Sequence, residues 1–577
     1  MTVRMRLVDY LAGELARLGV SHVFGVGGAN IEDFYAALHT VGGRVRAVVC
    51  KHEFSAATMA DGYARTTGRL GVVTATSGGG AVNLVPGLAE AYASRVPLLA
   101  LVGQPPTTAE GRGAFQDTSG KAGSFAAKEL FAPVSRFCAR VESPEAIPEL
   151  LAESVAAACG PVRGPAVLLL PKDVQRAPVA PRRVSPLAKD APGAAVADRL
   201  PEPSRLEQAA DLLRRARRVL VIAGEGVAAA DARAELAEVA TRLGAWVAVS
   251  PDAKDVFRND DHRFAGVAGV MGHRNVQQCL RQADACLLVG TRLPDLARAG
   301  LDEALAAVPV VCVDPEPAYV PALAVLGPVR EALRALAGRL GPPRSAPQHA
   351  GPVPTPTPPP RSAARSGVLG HAAAVAAVEA ALPSDAHVFV DAGNAGASVI
   401  HRLPAPTHGR FVVAVGMGGM GYTFGAGIGA ALGTGKRTYV LAGDGSFFMH
   451  GMEIHTALEQ RAPVTFVIFN NNAHAMCATR ERLFLGGPHP SNLFHPADLA
   501  AGMAAMFPTL RVTRATDPDR LHQALLRANS GAGPAFVAVD LDPAELPPFL
   551  PFLHTLDHTL DPQHQESPHG HAHAHAG

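Results

Sequence analysis

The sequence predicts an α/β protein built from three doubly wound parallel-sheet domains. Three observations carry this. Short apolar runs recur at 218–223, 285–290, 437–442 and 464–469, and each ends in a glycine or asparagine turn followed by helically spaced apolar residues. Strands buried on both faces of a parallel sheet read this way. Two breaks divide the chain: 181–203, rich in Pro, Ala and charge, and 341–367, which contains Pro-Thr-Pro-Thr-Pro-Pro-Pro and reads as an extended, semi-rigid spacer. Finally, 577 residues at 48% hydrophobic and 18% charged are enough for several cores and argue against global disorder. The expected division is a first domain over 1–180, a middle domain over 204–340, the Pro-rich linker 341–367, a third domain over 368–550 and a His-rich tail over 551–577.

The bulk properties exclude several classes. A formal net charge of +1 without a basic stripe gives nothing to grip nucleic acid. Seven cysteines, at 50, 138, 159, 279, 286, 312 and 477, have no C-x-x-C spacing, so a disulfide framework is not expected and a reducing, cytoplasmic setting fits. Arg4, Arg6, Asp9 and Glu14 interrupt the N-terminus, where a signal segment would need an apolar block. The run 415–435 is uncharged, yet Gly421, Gly425 and Gly429 recur every four residues, as in a soluble helix packed closely on a neighbour; no membrane span is expected.

The third domain is organised around Gly443-Asp444-Gly445-Ser446, at the end of the 437–442 strand. Open α/β sheets bind ligands at that end. The glycines let backbone N–H groups approach an anion, and Asp444 supplies a hard oxygen. Asn471 follows 27 positions after Asp444, at the end of the 464–469 strand, and offers a neutral amide oxygen. One carboxylate, one amide oxygen and a nearby backbone carbonyl suit Mg²⁺ holding a diphosphate. Gly-Asp-Gly alone is equally a loop.

In the first domain, the strand ending in Gly25-Val26-Gly27-Gly28-Ala29-Asn30 leads into a helix from about Ile31, without a full dinucleotide fingerprint. A short strand over 45–50 then delivers Lys51-His52-Glu53 to a helix. By spacing alone, Glu53 is equally an acid complementing the helix dipole. In the middle domain, 218–223 ends in Gly224-Glu225-Gly226, and the pattern is Rossmann-like.

Together these segments resemble the thiamine diphosphate-dependent superfamily of acetolactate synthases and 2-oxo acid decarboxylases. The Asp444…Asn471 spacing resembles its cofactor motif. The stretch from Lys51 to Arg65 resembles H-E-x-x-A-x-x-M-A-x-G-Y-A-R, and Thr76-Ser77-Gly78-Gly79-Gly80-Ala81-Val82-Asn83 resembles T-S-G-P-G-x-x-N, with Gly79 in place of Pro. Gly111 to Asp117 resembles G-x-x-A-F-Q-E of acetolactate synthases, and Gly416 to Gly421 resembles G-x-G-A-M-G.

The resemblance implies a pyrimidine-binding first domain and a diphosphate-binding third domain. It implies Mg²⁺ ligands at Asp444, Asn471 and the Ala473 carbonyl. It implies cofactor contacts at Gly79, Asn83, Asn394, Gly418, Met420, Gly443, Gly445, Ser446 and Met476. Glu53 would hydrogen-bond the aminopyrimidine N1′, and Phe115, Gln116 and Asn30 would face the substrate. Met420 is otherwise ordinary core filler and Phe115 a packing residue.

The implied activity is decarboxylation of a 2-oxo acid, pyruvate foremost, with ligation of the remaining fragment to an acceptor carbonyl. The alternatives are a non-ligating decarboxylase releasing an aldehyde and a catalytically silent cofactor-binding homologue. The family's middle domain sometimes holds FAD, for which no residue here speaks. A homodimer or homotetramer is implied, because the family builds each site between subunits. Arg480 falls where acetolactate synthases carry an acceptor-selecting Trp, and it suits an acceptor bearing a carboxylate or phosphate. The alternating histidines of the tail could bind a transition metal or be incidental.

Overall fold

The computed structural model of the protein describes residues 5–180, 200–344, 368–487 and 489–552. The expected Pro-rich linker, apart from its first few residues, and nearly all of the His-rich tail lie outside the described residues.

Each domain is one six-stranded, wholly parallel sheet covered by helices. The first runs, edge to edge, Arg46–Val49, His22–Gly25, Gly71–Ala75, Leu98–Gln104, Pro165–Pro171 and Phe137–Arg140. The third runs Phe411–Val413, His387–Val390, Thr438–Gly443, Val464–Asn470, Ala535–Asp540 and Arg511–Ala515. Numbered along the chain within each domain, both sheets have the order 2-1-3-4-6-5. The middle sheet, whose strands in chain order begin with Val219–Ala223, has the order 3-2-1-4-5-6 of doubly wound nucleotide folds. The central strands are buried along their length, which is why they read as continuous apolar runs. A two-stranded antiparallel tie, Met5–Arg6 with Pro178–Val179, closes the first domain near 180.

Glycine sets how the first and third domains meet. The helix Tyr422–Thr434 lies against the helix Glu53–Thr67. A Cβ on Gly429 would stand 1.9 Å from the Met59 carbonyl oxygen, one on Gly425 2.1 Å from Thr58 Oγ1, and one on Gly62 2.0 Å from the Ala426 carbonyl oxygen. Only backbone fits there, so the uncharged run is a domain-docking helix. Among the described residues no helix is long and apolar enough to cross a membrane.

Buried ion pairs join the middle domain to its neighbours. Arg410 Nη2 donates to Glu225 at 2.6 Å and its Nε to Asp255 at 2.8 Å. Arg95 Nη1 donates to Asp314 Oδ1 at 2.8 Å.

Candidate active site

In both outer sheets the chain reverses direction of winding between the first and third strands of the domain, and the expected site residues lie at or beyond the C-terminal ends of the first four strands. In the first domain, the Asn30 amide donates to Ser77 Oγ at 2.7 Å, and its backbone N–H reaches Thr76 Oγ1 at 3.3 Å. Thr76 Oγ1 in turn donates to Gln116 Oε1 at 3.4 Å, and Gln116 sits in the left-handed region at φ 58°. The turns after two strands and the 105–126 loop thereby bring Asn30 and Gln116 together. Glu110 and Asp117 brace that loop: Glu110 pairs with Lys121 at 2.8 Å and with Arg140 at 2.5 Å, and Asp117 accepts from the Gly111 N–H at 2.7 Å. Phe115 is not drawn in; it is 75% exposed.

Glu53 is the first residue of its helix and is buried. Its Oε2 accepts from the Asn83 amide at 3.0 Å. Gly80 lies directly beside the carboxylate, where a Cβ would come within 3.0 Å of Oε1. Gly79 is exposed and has open space where a side chain would stand.

In the third domain the turn expected at 443–446 is a helix start. Gly443 ends the strand, and Asp444 opens the helix Asp444–His450. Asp444 Oδ2 accepts from the Ala473 N–H at 3.3 Å. Burial raises the Asp444 carboxyl to about 6, partly offset by the backbone N–H groups of Gly445, Ala473 and Asn472. Asn471 is buried with no hydrogen-bond partner on its Oδ1. Asn470, one residue earlier, instead donates to Asp540 at 3.2 Å. Asn472 stands at φ 53° and accepts the Ala497 N–H at 3.1 Å, so the three asparagines have three different tasks.

Asn394 donates to Thr479 Oγ1 at 3.2 Å, and its own Oδ1 is buried without a partner. Gly418, at φ 65°, and Gly443 both face open space. Met420 Cε lies 3.2 Å from where a Gly445 Cβ would stand. Met476, half-buried, packs on the third-domain core. The Ser446 hydroxyl donates to Asp391 Oδ1 at 2.7 Å, so any contact it makes with a diphosphate runs through the backbone. Asp391, which the sequence places with Asn394 in a strand-end turn expected at the diphosphate, instead spends its carboxylate inside the protein. It also accepts from Thr423 Oγ1 at 2.7 Å and from the Gly421 N–H at 3.1 Å. Arg480 is exposed on the helix Ala475–Phe484.

These residues fit a metal-bridged diphosphate. A buried carboxylate, an orphaned amide oxygen on the adjacent strand and open space at Gly443 and Gly418 suit such a group. Among the described residues no three His, Cys, Asp or Glu side chains cluster as a metal site, which leaves this mixed set as the candidate. The middle domain differs. At its switch point a Gly224 Cβ would stand 2.5 Å from Thr291 Cβ, and a Gly226 Cβ 2.7 Å from the Gly290 Cα. Those glycines pack on one another, and no residue there speaks for flavin.

Fold and site together define an α/β enzyme that holds an elongated diphosphate cofactor against two similar sheets. Family models agree along the chain: the thiamine pyrophosphate enzyme N-terminal TPP binding domain matches residues 5–123, the central domain 206–336 and the C-terminal TPP binding domain 391–539. The chain belongs to the thiamine pyrophosphate enzyme family and is a thiamine diphosphate-dependent enzyme related to acetolactate synthases.

A “Probable 2-ketoarginine decarboxylase AruI” of Pseudomonas aeruginosa is 32% identical over 80% of this chain and 81% of its own length. A “Probable acetolactate synthase large subunit” of Methanocaldococcus jannaschii is 27% identical over 95% and 94%. The acetolactate synthase isozyme 2 large subunit of Escherichia coli is 28% identical over 94% and 96%. An X-ray structure from Mycobacterium smegmatis described as a thiamin diphosphate-dependent enzyme shares the fold, with a TM-score of 0.76 at 23% identity over 94% of this chain and 100% of that one.

Proposed function

We propose that this enzyme decarboxylates a 2-oxo acid, pyruvate foremost, with thiamine diphosphate and Mg²⁺, and ligates the remaining fragment to an acceptor carbonyl. The observation that carries the cofactor half is the orphaned Asn471 Oδ1 beside buried Asp444. Asp444, Asn471 and the Ala473 carbonyl would hold the metal. Gly443, Gly445, the Ser446 backbone and Asn394 would receive the diphosphate. When bound, thiamine diphosphate supplies a nucleophilic carbon for the 2-oxo carbonyl and a sink for the electrons released with CO₂.

The protein's residues do the rest. Glu53, held by Asn83, would share a proton with the pyrimidine N1′, and the Gly418 carbonyl would accept a hydrogen bond from the amino group. Met420 would support the bent conformation between the two halves. Asn30 and Gln116, joined through Ser77 and Thr76, would orient the acid. Phe115, exposed in the single chain, would line the substrate pocket only where a second copy covers it. Arg480 would meet an anionic acceptor.

A second copy of the chain would complete the site, as a homodimer or homotetramer. In the single chain Phe115, Met417, Phe448 and Met452 are 75%, 59%, 52% and 43% exposed, large apolar side chains whose burial a second copy would favour. The scattered free cysteines support a cytoplasmic setting.

A second reading, simple decarboxylation to an aldehyde, is supported by the likeness to the 2-ketoarginine decarboxylase. One experiment separates them. The full chain with thiamine diphosphate and Mg²⁺ is given pyruvate, branched 2-oxo acids and a guanidino 2-oxo acid, and CO₂ and product masses are followed. A five-carbon hydroxy-oxo acid from pyruvate is expected. Aldehyde as sole product supports the second reading, and no CO₂ from any acid sinks both.

A further inference from the structure

The loop carrying Gly418 and Met420 belongs to the third domain, but one of its two anchors comes from the first. Glu90, on the helix Val85–Ala93, is 2% exposed. Its Oε1 accepts from the Gly416 N–H at 3.1 Å and from Ser94 Oγ at 2.7 Å; its Oε2 accepts from the Met417 N–H at 2.5 Å. The Arg65 guanidinium lies 3.9 Å from Oε1 and is itself held by Asp61 at 2.6 Å. Gly416 comes so close that a Cβ there would stand 2.9 Å from both Glu90 Oε1 and Ala93 Cβ. At the far end, Asp391 holds the Gly421 N–H at 3.1 Å and, through Ser446 Oγ at 2.7 Å, the diphosphate turn. Residues 417–420 thus form an arch pinned at each foot by a buried carboxylate, with Gly418 facing open space between them.

We propose that Glu90 is a positioning residue. Through the two peptide N–H groups it sets the arch at the height where Gly418 and Met420 receive the pyrimidine half of the cofactor, so that this half binds well only when the first and third domains are docked. The inference rests on the reading of the arch given above. The chemistry is specific to a carboxylate: each oxygen takes one N–H, whereas a glutamine of the same shape keeps one acceptor and turns an NH₂ toward the other donor. Hydrogen bonds to a buried charge are among the stronger ones, so the loss is expected to be measurable.

The test compares the full-length parent with Glu90→Gln by calorimetric titration in Mg²⁺, using whole thiamine diphosphate and, separately, inorganic pyrophosphate as a probe of the diphosphate end alone. Glu90→Gln is expected to weaken the whole cofactor about tenfold and pyrophosphate less than about twofold. A general loosening of the fold would weaken both alike, and that result, or no change in either, overturns the role of Glu90. A parent that binds pyrophosphate as tightly as the whole cofactor overturns instead the underlying reading of the arch. Should Glu90→Gln fail to fold, Ser94→Ala removes one donor while leaving the charge. It is expected to narrow the preference for the whole cofactor about two- to threefold, and an unchanged preference counts against the proposal.

Discussion

Asp444 and Asn471 stand at the ends of hydrogen-bonded neighbouring strands, in register through Gly443 and Phe469; backbone N–H groups meet the Asp444 carboxylate, and the Asn471 Oδ1 has no protein partner. Buried polar atoms are nearly always paired, so an orphaned amide oxygen beside a carboxylate pushed up by burial marks a place where a cation belongs.

Asp444→Asn and Asn471→Ala are therefore expected to lower the affinity for thiamine diphosphate in Mg²⁺ by at least about tenfold, a lower bound taken from losses around metal ligands. The circular dichroism spectrum should stay that of the parent. Chelation of divalent ions should abolish CO₂ release from the parent, and Mg²⁺ should restore it. Calorimetry that gives equal affinities for parent and variants would remove the metal from this site.

Glu53→Gln keeps the shape of the side chain and its reach to Asn83 while removing the shared proton. A fall in turnover of about 100-fold or more is expected, the size typical of losing a positioned acid or base. Substrate affinity should change far less. Unchanged turnover would leave Glu53 as a helix-capping acid only.

The glycine seam between the helices Glu53–Thr67 and Tyr422–Thr434 tolerates no Cβ. Gly429→Ala is expected to lower the unfolding temperature by about 5 °C or more, because overpacking a tight contact costs about 1–3 kcal/mol or beyond. Gly502→Ala provides the control: it lies in the helix Leu499–Met506 with nothing within 4 Å of a new Cβ, and should be neutral or slightly stabilising. Equal behaviour of the two in a melting experiment would refute the seam.

Several buried histidines predict acid lability. Burial holds His401 and His387 down at about 4 against an ordinary value of 6.5, with neighbouring Lys and Arg charges adding to it. Between those values the unfolded chain takes up protons that the folded chain refuses. Their contribution is thus complete above about pH 6.5 and is lost as pH falls toward 4, on the order of 3 kcal/mol for each. His401→Gln should flatten the fall in denaturation midpoint across that window. A slope identical to the parent's would show that the imidazole does not titrate there.

The sequence by itself determined the fold class, because strands buried on both faces must be apolar throughout and that pattern needs no partner to be read. It also placed Asp444, Asn471 and Glu53 at strand or helix ends, since glycine and asparagine turns mark where a parallel strand stops. Strands such as Arg511–Ala515, with half-exposed Arg, Thr and Val, carried no such signal at an edge of the sheet. The tertiary structure alone decided which polar atoms are left unpaired and which are spent. Ser446 and Asp391 satisfy one another, the Asn470 NH₂ turns to Asp540, and the amide oxygens of both Asn470 and Asn471 are left free, of which only that of Asn471 belongs to the expected metal set. Only the tertiary structure could bring Glu90 to a loop more than three hundred residues away. The physical reason is that a hydrogen bond depends on distance and direction across the fold, and spacing along the chain specifies neither.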